Sequence, residues 1–166
     1  MRLSSLYRFP MKSAIGEPLL RAELDGLGLV GDRRWMLVDA ENGRFLTQRA
    51  FSRMSQLSAR WNPAGGLTLA SQGLPALDVP LPEPDANLRG VFVWGSSMVV
   101  PDAGDEAAEW LSDFLGKACR LVHVPDHRAR DIPGSLLPEE KVGFADGFPL
   151  LLIGQASLDD LSRRVG

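Results

Sequence analysis

The sequence predicts a mostly β, α+β chain: an N-terminal β-barrel or curled antiparallel sheet with one flanking helix. Three observations predict it, namely short alternating runs over the first hundred residues, turn dipeptides between them, and one switch to helical spacing near residue 105. Leu3, Ser5, Tyr7 and Phe9 alternate with Arg2, Ser4, Leu6 and Arg8, giving a first strand that Pro10 closes. Asn42-Gly43 between RWMLVD and RFLTQ predicts a type I′ hairpin, because that turn needs positive φ at both central residues. Gly65-Gly66 separates SQLSARW from LTLAS, and Gly95 separates VFVW from SMVV, so two more hairpins are expected, with PLPEPD a loop between them.

After the sheet, Ala107, Ala108, Leu111, Phe114 and Leu115 recur on one helical face, with Asp105 as the expected cap and Gly116 as the stop. CRLVHV reads as one more strand, and VPDHRARDIPGSLLPEEK as a polar connection, functional loop or linker. FPLLLIG has the continuous apolar character of a buried strand. SLDDLSRRVG is a helix with Ser157 as N-cap and Leu158, Leu161 and Val165 on one face. A buried strand and an apolar helix face at the end of a chain require covering partners, so the sequence reads as interrupted there; a homodimer through that edge is the alternative.

A chain of 166 residues with 45% hydrophobic side chains buries one substantial core and the beginning of a second. It contains no apolar run of about 18 residues and no secretory leader, which predicts a soluble, cytoplasmic protein with no membrane contact. One cysteine, Cys119, excludes an internal disulfide and a multi-cysteine metal site from this chain alone. Residues 1–60 carry ten basic and six acidic groups (+4), the remainder eight and fifteen (−7), so the basic half is suited to an anion. The acidic total and the lack of a binding motif argue against nucleic acid.

GLGLVG at residues 26–31 matches a dinucleotide fingerprint in letters, but that motif must open a helix, and DRRWMLVD after it is strand-like. His123, Asp126 and His127 are ordinary metal-ligand types, yet three polar groups in a loop are more often solvated. Cys119 beside Ala118 and Leu121 reads as a buried, inert thiol, and no serine has a G-x-S-x-G setting. The remaining chemistry sits at strand ends: Lys12 and Ser13 after Phe9-Pro10, and Arg33 at the start of another strand. Two cations and a hydroxyl suit a phosphate; the residues alone leave open whether Lys12 and Arg33 are instead ordinary surface cations.

The order YRFPMKS, GLVGDRRWMLVD, FLTQR and FADGFPLLLIGQASLDDL spans essentially the whole chain. It resembles the MOSC N-terminal β-barrel family, which includes bacterial relatives of the mitochondrial amidoxime-reducing component. The resemblance implies an N-terminal barrel domain over residues 1–123, a connection over 124–141, and from 142 to 166 the first strand and helix of a MOSC domain. It implies a molybdenum cofactor clasped between the two domains, with the phosphate of molybdopterin held by the barrel. Lys12 and Ser13 stand in the family's Lys-Ser positions and Arg33 in its D-R-x-W arginine; Asp146, in FADGFP, lies where the MOSC domain begins to line the site. The family's Tyr-Pro-Val-Lys-Ser is here RFPMKS, with Met11 for valine and Arg8-Phe9 between Tyr7 and Pro10.

Full-length relatives of this type look like oxidoreductases that reduce N-hydroxylated compounds with electrons from a flavin or iron–sulfur partner. Their molybdenum-binding cysteine lies further along, and Cys119 is not in that position, so this chain alone is expected to be catalytically silent and to bind at most the cofactor's phosphate end, weakly, or no cofactor at all. Two alternatives stay open: a pyridoxal-phosphate-linked cofactor sulfurase, with Lys12 forming a Schiff base, and a non-catalytic barrel whose terminal helix face binds a partner protein.

Overall fold

The computed structural model describes residues 2–85, 87–132 and 139–165. Strand β1 (Tyr7–Arg8) pairs with β2 (Glu17–Pro18), and β3 (Leu24–Asp25) with β4 (Gly28–Leu29). After β5 (Trp35–Asp39), strands β6 (Ser58–Trp61), β7 (Leu67–Ser71) and β8 (Leu74–Val79) form a three-stranded sheet in that order. Strands β9 (Leu88–Val93) and β10 (Ser96–Pro101) form a hairpin, and helix α1 (Asp105–Leu115) leads to β11 (Cys119–His123), which returns beside β5. The short pair β12 (Arg130–Asp131) and β13 (Lys141–Val142) follows, then helix α2 (Gln155–Val165).

The β5–β11 ribbon is the centre of the molecule, with Trp35 opposite His123 and Asp39 opposite Cys119. All five residues of WMLVD are buried, and period-two alternation sends them to two different cores. Trp35 and Leu37 join Met54, Leu57, Leu67, Leu69 and the α1 face in one; Met36 and Val38 join Val91, Val93, Val100, Val122 and Phe144 in the other. A strand buried on both faces reads as a continuous apolar run, which explains its composition. Around the second core the strands curl, linked by single bridges at Val38–Phe45, Arg44–Phe92 and Asp102–Val122. The result is a curled antiparallel sheet; a continuously hydrogen-bonded closed barrel is not formed among the described residues.

Several local expectations need correction. The first strand is two residues long, because beyond Tyr7–Arg8 the edge finds no ladder partner. Asn42-Gly43 does not make a type I′ turn: Gly43 alone has positive φ (67°), and the Asp39 carboxylate accepts the amides of Glu41 and Asn42 in a four-residue loop. The tight primed turn lies instead at Trp94-Gly95, whose φ values are 49° and 87°. Helix α1 buries the five anticipated residues, but Gly104 precedes it as cap and Asp105 is its first residue, paired with Arg120. Helix α2 begins at Gln155, so Ser157 lies inside its first turn.

The largest departure is FPLLLIG. Among the described residues this stretch has no ladder partner, and Phe148, Leu150, Leu151, Leu152 and Ile153 are exposed, as are Leu158, Leu161 and Val165 on α2. Continuous hydrophobicity reports a surface that has to be covered, and here nothing in the described residues covers it. Part of the polar connection, residues 133–138, lies outside the described residues. No described helix is long and apolar enough to cross a membrane.

Candidate anion site at the Lys12 edge

Three segments remote in sequence lie side by side at one edge of the β5–β11 ribbon. Residues 9–12 run along the start of β5: Phe9 O accepts from Arg33 N (2.7 Å), Pro10 O from Trp35 N (3.1 Å), and Trp35 O from Lys12 N (2.8 Å). On the far side of that turn, Arg33 O accepts from Phe144 N (2.9 Å). Phe144 is fully buried in the second core, so its packing fixes where Asp146 emerges two residues later. Arg130 completes the support, donating to the carbonyls of Gly143 (3.2 Å), Ala145 and Asp146 (3.0 Å).

Lys12 is not a surface cation. It is 5% exposed, its Nζ donates to Phe144 O (3.0 Å) and pairs with the Asp146 carboxylate, and it sits 5.1 Å from the Trp94 ring centre and 5.6 Å from that of Phe45. Burial pushes the Lys12 ammonium below its ordinary pKa, and the Asp146 pairing opposes that shift only in part; the charges of Arg130 and Arg33 push it the same way as burial. For Asp146 burial raises the pKa, but the Lys12 hydrogen bond and charge, Trp94 Nε1 and the charge of Arg49 outweigh it, holding the carboxyl below the usual range.

Arg33 and Ser13 both adopt left-handed backbone, with φ of 44° and 66°. A non-glycine residue there costs of order 1–3 kcal/mol and persists where surrounding structure demands it, a pattern concentrated at functional sites. Arg33 pairs with the buried Asp32 and lies over Phe9 at 4.9 Å. Ser13 follows Lys12 directly, and its carbonyl accepts from Gln48. The fold thus joins the segments carrying Lys12, Ser13, Arg33 and Asp146. Sequence reading did not single out Arg130, Trp94, Phe45 or Arg49, for which spacing offers no local signal. Arg130 is 6% exposed and its Nη1 has no hydrogen-bond partner, an orphaned buried donor beside this edge.

Other candidates resolve as structural. GLGLVG forms the β3–β4 turn and opens no helix. His123 packs against Trp35 at 4.8 Å, Asp126 pairs with Arg34, and His127 lies 3.8 Å from Asp85. Among the described residues no group of three such side chains could hold a metal ion. Cys119 is buried, its thiol pushed up by desolvation and contacted by the Ser112 hydroxyl.

The curled sheet belongs to a recognised class: the model of the MOSC N-terminal beta barrel domain matches residues 1–118, and the chain belongs to that family. Over 98% of its length it is 31% identical to mitochondrial amidoxime-reducing component 1 of Mus musculus, covering 50% of that protein. It is 30% identical to the Homo sapiens counterpart, covering 51%. Over 94% of the chain it is 32% identical to the molybdenum cofactor sulfurase of Danio rerio, covering 20% of that protein. The chain spans about half the length of the amidoxime-reducing relatives it matches. A solution structure of a Bordetella bronchiseptica protein shares the fold, with TM-score 0.51 and 22% identity over 68% of this chain and 94% of that one.

Proposed function

We propose that this chain is the N-terminal part of a molybdenum-cofactor-binding oxidoreductase, and that Lys12, Ser13 and Arg33 hold the phosphate end of molybdopterin. The observation that carries the reading is the buried Lys12 ammonium, set beside Arg33 and Arg130 where the 9–12, 33–35 and 143–146 segments meet. Burying Lys12 and Arg130 near a third, half-buried cation, Arg33, is costly unless an anion offsets them. The described residues supply Asp146 and Asp32, and a buried Arg130 N–H still lacks a partner. A phosphate monoester fits this donor set by charge and by hydrogen bonding, with Lys12 as a point charge and Arg33 as a planar fork.

When bound, the cofactor would supply the redox chemistry; the relatives are named for reducing amidoximes, and we extend that to reduction of N-hydroxylated compounds by the full-length protein. The chain's own residues bind and orient. The Arg33 backbone, tied to Phe9 and Phe144, fixes the guanidinium position, and Asp146 borders the site. We place the remainder of a MOSC domain against the exposed Phe148, Leu150, Leu151, Leu152 and Ile153, and a flavin or iron–sulfur protein as the electron donor. The Schiff-base alternative needs Lys12 Nζ as a free amine, whereas here it is hydrogen-bonded to Phe144 O and ion-paired with Asp146, the state suited to holding an anion.

The test is retention. Carried within the full-length protein, expressed in cells that make molybdopterin and passed through gel filtration, the wild-type sequence is expected to retain pterin, measured by fluorescence after oxidation. The Lys12→Ala, Arg33→Ala variant, with unchanged circular dichroism, should carry at least about tenfold less, as the loss of two charge-assisted contacts implies. Equal pterin on both proteins would refute the clasp.

A further inference from the structure

The Asp146 carboxylate has an unusual set of neighbours for a side chain that is 69% exposed. One oxygen, Oδ1, accepts from Lys12 Nζ and from Trp94 Nε1 (3.2 Å), and the charge of Arg49 also acts on the group. Trp94 is placed for this by strain. It occupies the first central position of the β9–β10 turn at φ 49°, its ring packs on Phe45 at 4.8 Å, and Arg49 lies 5.4 Å from its ring centre. Arg49 is exposed and, among the described residues, makes no hydrogen bond or ion pair. An exposed guanidinium stacked on a tryptophan and pairing with no carboxylate is an available second cation.

We propose that the Asp146 carboxylate stands where an oxyanion ligand binds, and that Trp94 and Arg49, with Lys12, form the donor set that a phosphate monoester takes over from it. This rests on the phosphate reading above and extends it to two residues outside the Lys-Ser and Arg33 positions. A carboxylate oxygen and a phosphate oxygen accept the same N–H groups at the same distances, so a ligand can inherit the contacts as Asp146 gives them up. The exchange needs no backbone change. Arg130 holds the carbonyls of Ala145 and Asp146, so the main chain stays clamped while the exposed side chain rotates away. The doubly charged ligand then gains Arg49, which the singly charged carboxylate engages only at a distance. Trp94 acts as a positioning residue, directing one N–H into the site with both Lys12 and Arg49 within 5.4 Å of its ring centre.

Calorimetric titration of the chain with phenyl phosphate, and in parallel with inorganic phosphate, tests this. Asp146→Asn keeps the shape and removes the competing charge, so it should bind phenyl phosphate about tenfold more tightly than wild type. In that background Arg49→Ala and Trp94→Phe should each weaken binding about three- to tenfold. Arg49→Ala alters an exposed side chain, so it remains informative should Trp94→Phe fail to fold. If Asp146→Asn binds no more tightly than wild type, the carboxylate is not a stand-in. If Lys12→Ala loses binding while Arg49→Ala and Trp94→Phe do not, the phosphate site survives and the proposed donor set is overturned. Absence of saturable binding in every protein overturns both. Saturation by inorganic phosphate alone would overturn the assignment of a monoester.

Discussion

Replacing Asp102 with alanine should destabilise the protein by about 3 kcal/mol, as expected when one partner of a buried charge network is removed. Asp102 is 5% exposed and accepts from Arg89 Nε (2.7 Å), Arg120 Nε (2.8 Å) and Gly104 N (2.9 Å). Those donors come from β9, β11 and the entrance to α1, so a single carboxylate ties together the curled sheet and its flanking helix. Its removal would leave two guanidinium groups without their counter-charge, and water can reach both only in part. Burial alone would raise the Asp102 pKa, but Arg120, Arg89 and the Gly104 amide outweigh it and hold it below the ordinary value. A depressed folded-state pKa contributes stability that is present above the unfolded pKa of about 3.9 and is lost as pH falls through the folded value. Urea unfolding at pH 7 should show the full deficit of Asp102→Ala, and the deficit should shrink only in strong acid. A variant within about 0.5 kcal/mol of wild type at pH 7 would mean the network is solvated and structurally idle.

The second large effect is on pH dependence. His123, across from Trp35 in the central ribbon, has its pKa pushed down to about 4 by burial, reinforced by the charge of Arg34 and opposed by Asp126. The unfolded chain binds this proton near pH 6.5 and the folded one near pH 4, so between those values the unfolded state carries more protons. Stability must therefore rise with pH across that window. At 1.36 kcal/mol per pKa unit the contribution is about 3 kcal/mol, fully present above pH 6.5 and gone below pH 4. His123→Phe keeps the ring against Trp35 and cannot titrate. Its unfolding free energy, measured by urea from pH 4 to 7, should fall less steeply on acidification than that of wild type; parallel curves would sink the assignment.

The parts of the fold that sequence reveals are those written locally. The α1 face is legible because Ala107, Ala108, Leu111, Phe114 and Leu115 repeat at the helical period whatever surrounds them. Gly65-Gly66 and Gly95 mark hairpins because turns restrict backbone dihedrals. The Gln72-Gly73 turn between β7 and β8 was less legible, since Pro75 inside β8 argues against a strand unless that strand is at an edge, as β8 is. Trp94 in a position favouring asparagine or glycine could not be read at all. FPLLLIG forms no strand among the described residues despite its apolar run, because hydrophobicity measures the need for burial, and pairing depends on what lies opposite.

The candidate site shows the same division. Lys12, Ser13 and Arg33 were legible through resemblance, as short motifs at strand ends. That Lys12 would be buried, and that it would meet Asp146 across 134 residues of sequence, depends on Phe144 entering the second core. Arg130 lay within a polar stretch with nothing to distinguish it from its neighbours, and it has become the support for the turn that presents Asp146.

The most direct test of the central claim is a crystal structure of the chain loaded with molybdopterin, with the phosphorus located by anomalous scattering. The account predicts phosphate oxygens within about 3 Å of Lys12 Nζ and the Arg33 guanidinium, and the Asp146 carboxylate rotated off Lys12. A phosphate bound elsewhere, with Lys12 still paired to Asp146 and Arg33 to Asp32, would contradict it.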